Sequence, residues 1–513
     1  MVVKVRLDDS SIDMYIYFKE RMIDMNNRRN YAVLIMLVTA ILMSMAVTAF
    51  ADNGKIPITA KSQKAIDYFL KGRGLAEKLQ FSDAREYYRK AVNEDPDFAI
   101  AWSSMAGTEP SGKEFFEDID TARALKDKVS EGERIQIEIQ YALVTGDTKK
   151  AEELGKKLTA MFPNDERAQN LMGNTLFGQQ RYEDAIVYYN KAVAVNPEFS
   201  QPYNQLGYAN RFIGNYTEAE IAFRKYIELI PNDPNPYDSY AELLMKMGKH
   251  KESIDYYEKA LEQNREFAAS HLGIASNYNF MNEHKYARRQ LKKLLEFAHD
   301  NGQRRQAWFG MAVSYADQGD FTRAIESLEK QMEFAAMIED HNNMAFDCNT
   351  IGTVLLETNK PAKAQAMFDR SLDHTLKADV SDAVKDNARR IHLFNSAKAA
   401  LADLEIDSAK KKAAEFQEKV EALGNPFQIK LAHELFGTIA LVEGKFDTAL
   451  KHFNQANLQN PYNLYRMAIA YKGMGDEDKA DEYHDMARNF RAVNNINQSF
   501  VRAKNGKLTA ASL

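Results

Sequence analysis

Along most of the chain, small side chains recur at a fixed interval, with large apolar residues set between them. Residues 166–199 show the interval in full: ERAQNLMGNTLFGQQRYEDAIVYYNKAVAVNPEF. Counted from Glu166, position 7 is Met172, 8 is Gly173, 11 is Leu176, 20 is Ala185, 24 is Tyr189, 27 is Ala192 and 32 is Pro197. Apolar residues three and four apart predict amphipathic helices, and no β-branched alternating run argues for strands. Two antiparallel helices joined by a short turn can approach closely where side chains are small and interlock where they are large. A proline at position 32 ends the second helix.

The same register returns along the chain. Residues 65–98 carry Tyr68, Gly72, Ala84, Tyr88, Ala91 and Pro96, and residues 132–165 carry Tyr141, Ala151 and Pro163. The latter are introduced by Ser130-x-x-Glu133, the pattern of a capping box. Further copies lie at 200–233 (Leu206, Gly207, Ala219, Phe223), 234–267 (Ala241, Tyr257, Ala260), 268–301 (Ala275, Ala287) and 305–338 (Ala312, Ala324). Others follow at 345–378 (Cys348, Gly352, Ala364, Phe368), 390–423 (Ala397, Ala409), 430–460 (Gly437, Ala449, Phe453) and 461–494 (Ala468, Ala480, Ala487). Gly214, Gly248, Gly319, Gly444 and Gly475 fall where the turn between two helices is expected. A twelfth copy at 99–131 begins well around Trp102 and Ala106, then departs at Gly107-Thr-Glu-Pro110-Ser-Gly112. These positions resemble the tetratricopeptide repeat closely, over residues 65 to 494.

The resemblance implies an all-α solenoid of eleven or twelve helix-turn-helix units, stacked into a right-handed superhelix, with the first helices lining a concave groove. In such solenoids each unit buries its apolar face only against its neighbours. The groove commonly takes a peptide or partner segment, faced by first-helix positions 2, 5, 9 and 12. In the best-formed stretch those positions supply Arg167, Asn170, Asn174, Asn204, Tyr208, Arg211, Asp238, Glu242 and Ser276. Amides and a tyrosine can bond a guest's backbone without demanding one sequence; taken singly, each reads first as a solvated polar residue with no ligand. Some members grip a C-terminal carboxylate with a lysine, asparagine and basic-residue pattern over three repeats. This chain matches only Asn174 and offers Asn170, Asn235 and Ser239 elsewhere, so that specificity is not expected.

The N-terminus reads differently. Arg28 and Arg29 precede an uninterrupted apolar run from Tyr31 to Val47, and Ala49-Phe50-Ala51 follows. That order is the pattern of a secretory signal peptide spanning 25–51. Five acids precede it, which points to a true start at Met25 or Met22, with residues 1–24 an extension. The alternative is an uncleaved anchor over 31–47, whose seventeen residues sit at the short limit for spanning a bilayer. Residues 52–64 read as a linker, and 495–513 as a capping helix and tail.

Composition adds exclusions. With 67 basic and 73 acidic residues the net charge is -6, without the basic stripe that marks nucleic-acid binding. The single cysteine, Cys348, falls on a core-facing position and can form no internal disulfide. No two histidines lie closer than thirteen residues, so no helix carries a paired-histidine ligand motif. Phosphate loops, nucleophile elbows and cysteine–histidine signatures are absent. The sequence therefore predicts a non-enzymatic exported scaffold without cofactor or metal, binding protein or peptide partners in a cell-envelope complex, with no stable membrane insertion once the signal is removed. An extracytoplasmic glycan- or nutrient-binding protein, a membrane-anchored scaffold and an envelope hydrolase are the rival readings.

Overall fold

A computed structural model describes residues 54–78 and 80–504. The expected export signal, the alternative anchor and the N-terminal extension lie outside the described residues, as does the end of the tail. The helical array falls in one compact unit beginning at Ile58; of the unit before it, only residues 54–57 are described. Among the described residues there are twenty-five α-helices, one short 3-10 turn and no strand.

Twenty-four helices form twelve antiparallel pairs. They are α1 Gln63–Ala76 with α2 Phe81–Glu94, α3 Ala99–Ala106 with α4 Gly112–Ala124, and α5 Glu131–Thr145 with α6 Thr148–Met161. Next come α7 Glu166–Gly178 with α8 Tyr182–Val195, α9 Gln201–Phe212 with α10 Tyr216–Leu229, and α11 Pro234–Lys246 with α12 His250–Gln263. Then follow α13 Ala268–Phe280 with α14 His284–Phe297, α15 Asn301–Asp317 with α16 Phe321–Ala336, and α17 His341–Glu357 with α18 Pro361–Lys377. The last pairs are α19 Asp382–Ala402 with α20 Ile406–Leu423, α21 Pro426–Val442 with α22 Phe446–Phe453, and α23 Pro461–Gly473 with α24 Glu477–Arg488. A final helix, α25, spans Ile496–Ala503. The segment whose sequence departs from the interval still makes a pair, with a first helix of 8 residues.

The recurring small residues do what close packing requires. A Cβ added at Gly173 would fall on the ring of Tyr189, at Gly207 on Phe223, at Gly352 on Phe368 and at Gly437 on Phe453. Each first-helix glycine thus leaves room for the aromatic of its own second helix. The alanines at 84, 151, 185, 219, 287, 324, 364, 409, 449 and 480 are all fully buried. Where the register brings a serine instead, Ser253, its hydroxyl donates to the Ala241 carbonyl at 2.7 Å, so the buried polar group is satisfied. Ser130 and Glu133 form the reciprocal capping box at the start of α5. The turn after α15 is closed by Gly319 at φ +83°, a left-handed conformation that glycine adopts without steric cost. Leu404 occupies the equivalent turn after α19 at φ +62° and is 74% exposed.

First helices of consecutive pairs pack on one another (α7 on α9, α9 on α11, α11 on α13, α13 on α15), and no comparable packing joins consecutive second helices among the described residues. The array therefore curves with its first helices on the inner side. It also returns on itself. Helix α4 packs on α17 and α5 on α19. The Asn425 amide donates to the Gly146 carbonyl at 2.7 Å, and Lys430 donates to Gln180 at 2.7 Å. Gln180 in turn donates to Asn457 at 2.9 Å. These bonds link residues 250 to 279 positions apart, so late pairs lie against early ones.

Candidate binding groove

The inner wall of α7, α9, α11 and α13 carries the side chains that the sequence pointed to, and three of them, Tyr208, Arg211 and Glu242, bond to one another. Arg167 opens α7 and pairs with Glu77 at 2.8 Å and Glu166 at 2.7 Å, its guanidinium 4.9 Å from the centre of the Phe199 ring. Burial works against that charge, yet the Glu77 carboxylate holds the guanidinium pKa above its usual value. Asn170, Asn204 and Asp238 stand one repeat apart at position 5 of three consecutive first helices, and all three are buried. Asn170 donates to Gln201 at 2.9 Å. The carbonyl oxygens of Asn170 and Asn204 are buried without a hydrogen bond from the described residues. Half-buried Asn174 accepts from the Tyr189 hydroxyl at 3.0 Å.

Glu242 is the hub of the next layer. It accepts from the Tyr208 hydroxyl at 2.9 Å and from Arg211 at 2.5 Å. The Arg211 guanidinium also lies 4.9 Å from the Tyr208 ring and 4.8 Å from the Phe212 ring, geometries of cation–π attraction. Burial opposes the Arg211 charge, and the Glu242 carboxylate overcomes it, so the pKa is raised. Burial drives the Tyr208 phenol well above its ordinary range, helped by the charges of Glu242 and Asp238. Asp238 accepts from the Ser270 hydroxyl at 2.7 Å; burial outweighs that bond and pushes its carboxyl up to about 7.

The sequence set these residues toward a guest. In the structure Tyr208, Arg211 and Glu242 form a connected cluster, and Arg167, Asn170, Asn174, Asp238 and Ser276 bond to neighbours outside the set, because each first helix is flanked by two others and the late part of the chain closes over one end. Ser276 illustrates the closure: its hydroxyl donates to the Leu272 carbonyl at 2.9 Å and accepts from the Asn494 amide at 3.0 Å. Lys246, which the sequence reading passed over, donates to the Phe490 carbonyl at 2.6 Å and lies 3.7 Å from the centre of that ring. Burial, then the charges of Arg211 and Arg491, bring its ammonium down to about 7. Helix α25 continues this contact across α13 and α15. Arg502 donates to Asp317 at 2.7 Å, to the Asn279 carbonyl at 2.8 Å and to Asn282 at 2.8 Å. Ser499 donates to the Val313 carbonyl at 3.1 Å, and Lys504 pairs with Glu357 at 2.9 Å. No local spacing could have announced these bonds, since their partners lie 147 to 244 residues away (Lys504 to Glu357 and Lys246 to Phe490).

On later first helices, α15 with α17 and α21 with α23, two further ion pairs are buried. Arg305 makes a two-pronged contact with Asp347 at 2.6 and 3.0 Å, and Gln331 adds a third bond to that carboxylate at 2.8 Å. Glu434 accepts from Arg466 at 3.1 Å and from Asn463 at 3.0 Å. Cys348 is buried with its sulfur 3.9 Å from that of Met332, and burial raises its thiol pKa. Among the described residues no helix is long and apolar enough to cross a membrane, and no group of three or more histidine, cysteine, aspartate or glutamate side chains could hold a metal ion.

Models of the tetratricopeptide repeat match residues 166–199, 200–233, 235–267 and 303–377. Tetratricopeptide repeats are therefore present, and the fold is an all-α solenoid of this repeat. A curated relative is DnaJ homolog subfamily C member 7 of Mus musculus, 20% identical over 299 residues, which are 56% of this chain. The chain spans about 58% of that relative's length. Among solved structures, a tetratricopeptide repeat protein from Parabacteroides merdae is 16% identical, covering 51% of this chain and 98% of its own, with a TM-score of 0.35. The Cut9–Hcn1 hetero-tetramer of APC/C is 13% identical, covering 82% of this chain and 76% of that one, with a TM-score of 0.38. MamA is 25% identical, covering 31% of this chain and 93% of its own, with a TM-score of 0.27.

Proposed function

We propose that this chain is a non-enzymatic scaffold that holds segments of partner proteins along its inner wall, and that it works outside the cytoplasm in a cell-envelope complex. The repeat architecture is that of a protein-interaction fold. The observation that carries the reading to this wall is the row formed by Asn170, Asn204 and Asp238, identical in position and one repeat apart. A buried acceptor left unbonded costs about 1–3 kcal/mol. A guest polypeptide that parts the packing over α7 and α9 would bring N–H donors to Asn170 and Asn204 and remove that cost. The polar layer around Glu242 would then read the guest's charge. The extracytoplasmic part of the proposal rests on the basic, apolar and small-x-small succession of residues 25–51.

Site-directed photocrosslinking tests it. A photoreactive residue at Asn174 or Tyr208 on the inner wall should give the same discrete adducts in cells, and one at exposed Lys191 on α8 should not. Adducts that form equally at Lys191 would remove the groove reading. A fusion reporter at the C-terminus that is active only in the cytoplasm would remove the export reading and leave the groove untouched.

A further inference from the structure

The ten histidines are widely spaced in sequence, yet the fold brings four of them into two pairs. His341, the first residue of α17, faces His374 in the last turn of α18, with the two Nδ1 atoms 3.2 Å apart. His433 on α21 faces His452 on α22, again through Nδ1, at 3.1 Å. The ring centres are 5.4 Å apart in both pairs, and the planes are inclined by 30° and 37°. All four rings are half-buried. Five of the other histidines are engaged differently: His250 with Asn277, His271 with the Arg265 carbonyl and Gln290, and His284, His299 and His392 with carboxylates.

Facing Nδ1 atoms are an unusual way to place two imidazoles. Each neutral ring has one N–H and one lone pair, so only one proton can sit between the two nitrogens. Burial first, and the neighbouring imidazole second, lower the pKa of His374 and of His452; burial lowers that of His433. The neutral ring is the form that binds a metal. The separation also has the right length. Zinc–imidazole bonds are about 2.0–2.1 Å, so two nitrogens on one ion stand roughly 2.9 Å apart at a right angle and roughly 3.3 Å apart at the tetrahedral angle. Both observed distances fall between those limits. Phe436 stacks on His452 at 5.5 Å and holds its ring plane. Asp373, next to His374 in sequence, is held by Lys377 at 2.6 Å.

We propose that His341 with His374, and His433 with His452, are two bidentate imidazole sites for a divalent transition ion of the zinc, nickel or copper class. Each ion staples the first helix of a repeat to its second, α17 to α18 and α21 to α22. No further histidine, cysteine or carboxylate completes either set among the described residues. The remaining coordination positions are open to solvent or to a donor from another molecule.

Calorimetric titration of the purified chain with Zn2+ should show two sites. His374→Gln and His452→Gln should each remove one, and the double variant both. His341→Gln should weaken its site as much as His374→Gln does, by roughly tenfold or more, and combining the two should cost little further. With Cu2+, pulsed electron paramagnetic resonance should count two imidazoles per ion in the parent; in each single variant the intact pair should still give two and any ion left at the altered pair one, with circular dichroism unchanged. Parent-like titration of both single variants overturns the proposal, as does a one-imidazole spectrum in the parent or losses at His341 and His374 that multiply independently.

Discussion

Arg502→Met is the sharpest test of how the late part of the chain is held. The substitution keeps an apolar stem and removes a guanidinium that makes three bonds of 2.7–2.8 Å. Its partner Asp317 has a side chain only 3% exposed, and without Arg502 that carboxylate keeps a single bond, from His284 at 2.8 Å. Stranding a buried charge in this way costs about 3–5 kcal/mol. Against that stands what α25 gains by docking: Phe500 and Val501, each 1% exposed, contribute roughly 1.5–3 kcal/mol apiece. Ordering its eight residues offsets part of that gain. The loss is comparable with what the two apolar anchors supply, so α25 should detach while the twelve pairs keep their own contacts.

Hydrogen exchange read by mass spectrometry tests this. Peptides covering 489–503 should exchange at least roughly a hundredfold faster, and those covering 241–248 should follow because Lys246 loses Phe490. Peptides from α7 to α9 should be unchanged. Adding Asp317→Asn to Arg502→Met should restore much of the protection, since the stranded charge is gone. Unchanged exchange at 489–503, equal acceleration in every repeat, or no rescue by Asp317→Asn would each refute the reasoning.

Three further outcomes follow from the packing and the inner-wall charges. Asp238 holds its proton up to about pH 7 in the fold and only to about 3.8 when unfolded, so the α11–α13 region should lose stability as pH rises across that window, by at most about 4 kcal/mol. Lys246 loses its proton at about 7 in the fold and at 10.5 when unfolded, so stability should recover as pH climbs from 7. Urea titrations from pH 4 to 10 should therefore show a minimum near 7, with Asp238→Asn flattening the acid limb and Lys246→Met the alkaline one. Gly273→Ala, whose methyl would fall on the Tyr257 ring, should destabilise by about 1–3 kcal/mol in urea. Leu404→Gly relieves a left-handed leucine that is already exposed and should raise the melting temperature of the α19–α20 region, by about 1 kcal/mol in local stability.

What could be read in the sequence is what closes within one repeat. Gly207 and Phe223 are sixteen residues apart and meet because one turn joins two helices, so their spacing states their contact. The same holds for Ser130 with Glu133 and for the left-handed glycines at 214, 248, 319, 444 and 475. The histidine pairs escaped because 33 and 19 residues separate their members, at positions that the interval leaves unconstrained. The burial of Asn170 and Asn204 escaped for another reason. Their positions do lie on the inner side, but how much of that side stays open depends on the curvature of the whole stack. Curvature is the sum of small rotations between units, set by many side chains, and no single residue reports it.

That curvature changes what the repeat can do. In an open solenoid each unit feels only its neighbours, so a guest can settle in the groove without disturbing distant repeats. Here Gly146 is bonded to Asn425, Gln180 to Lys430 and Asn457, Lys246 to Phe490, and Asp317 to Arg502. Early and late units therefore share free energy. A guest large enough to part them must supply the cost of breaking those bonds, and one that fits between them is held from two sides. Because coupling is reciprocal, whatever loosens α25 should also change how strongly the wall around Glu242 binds, although Arg502 itself never touches Glu242. Partner affinity measured in Arg502→Met should shift if the wall and the closure are one system, and should stay at the parent value if the late helix is only a cap.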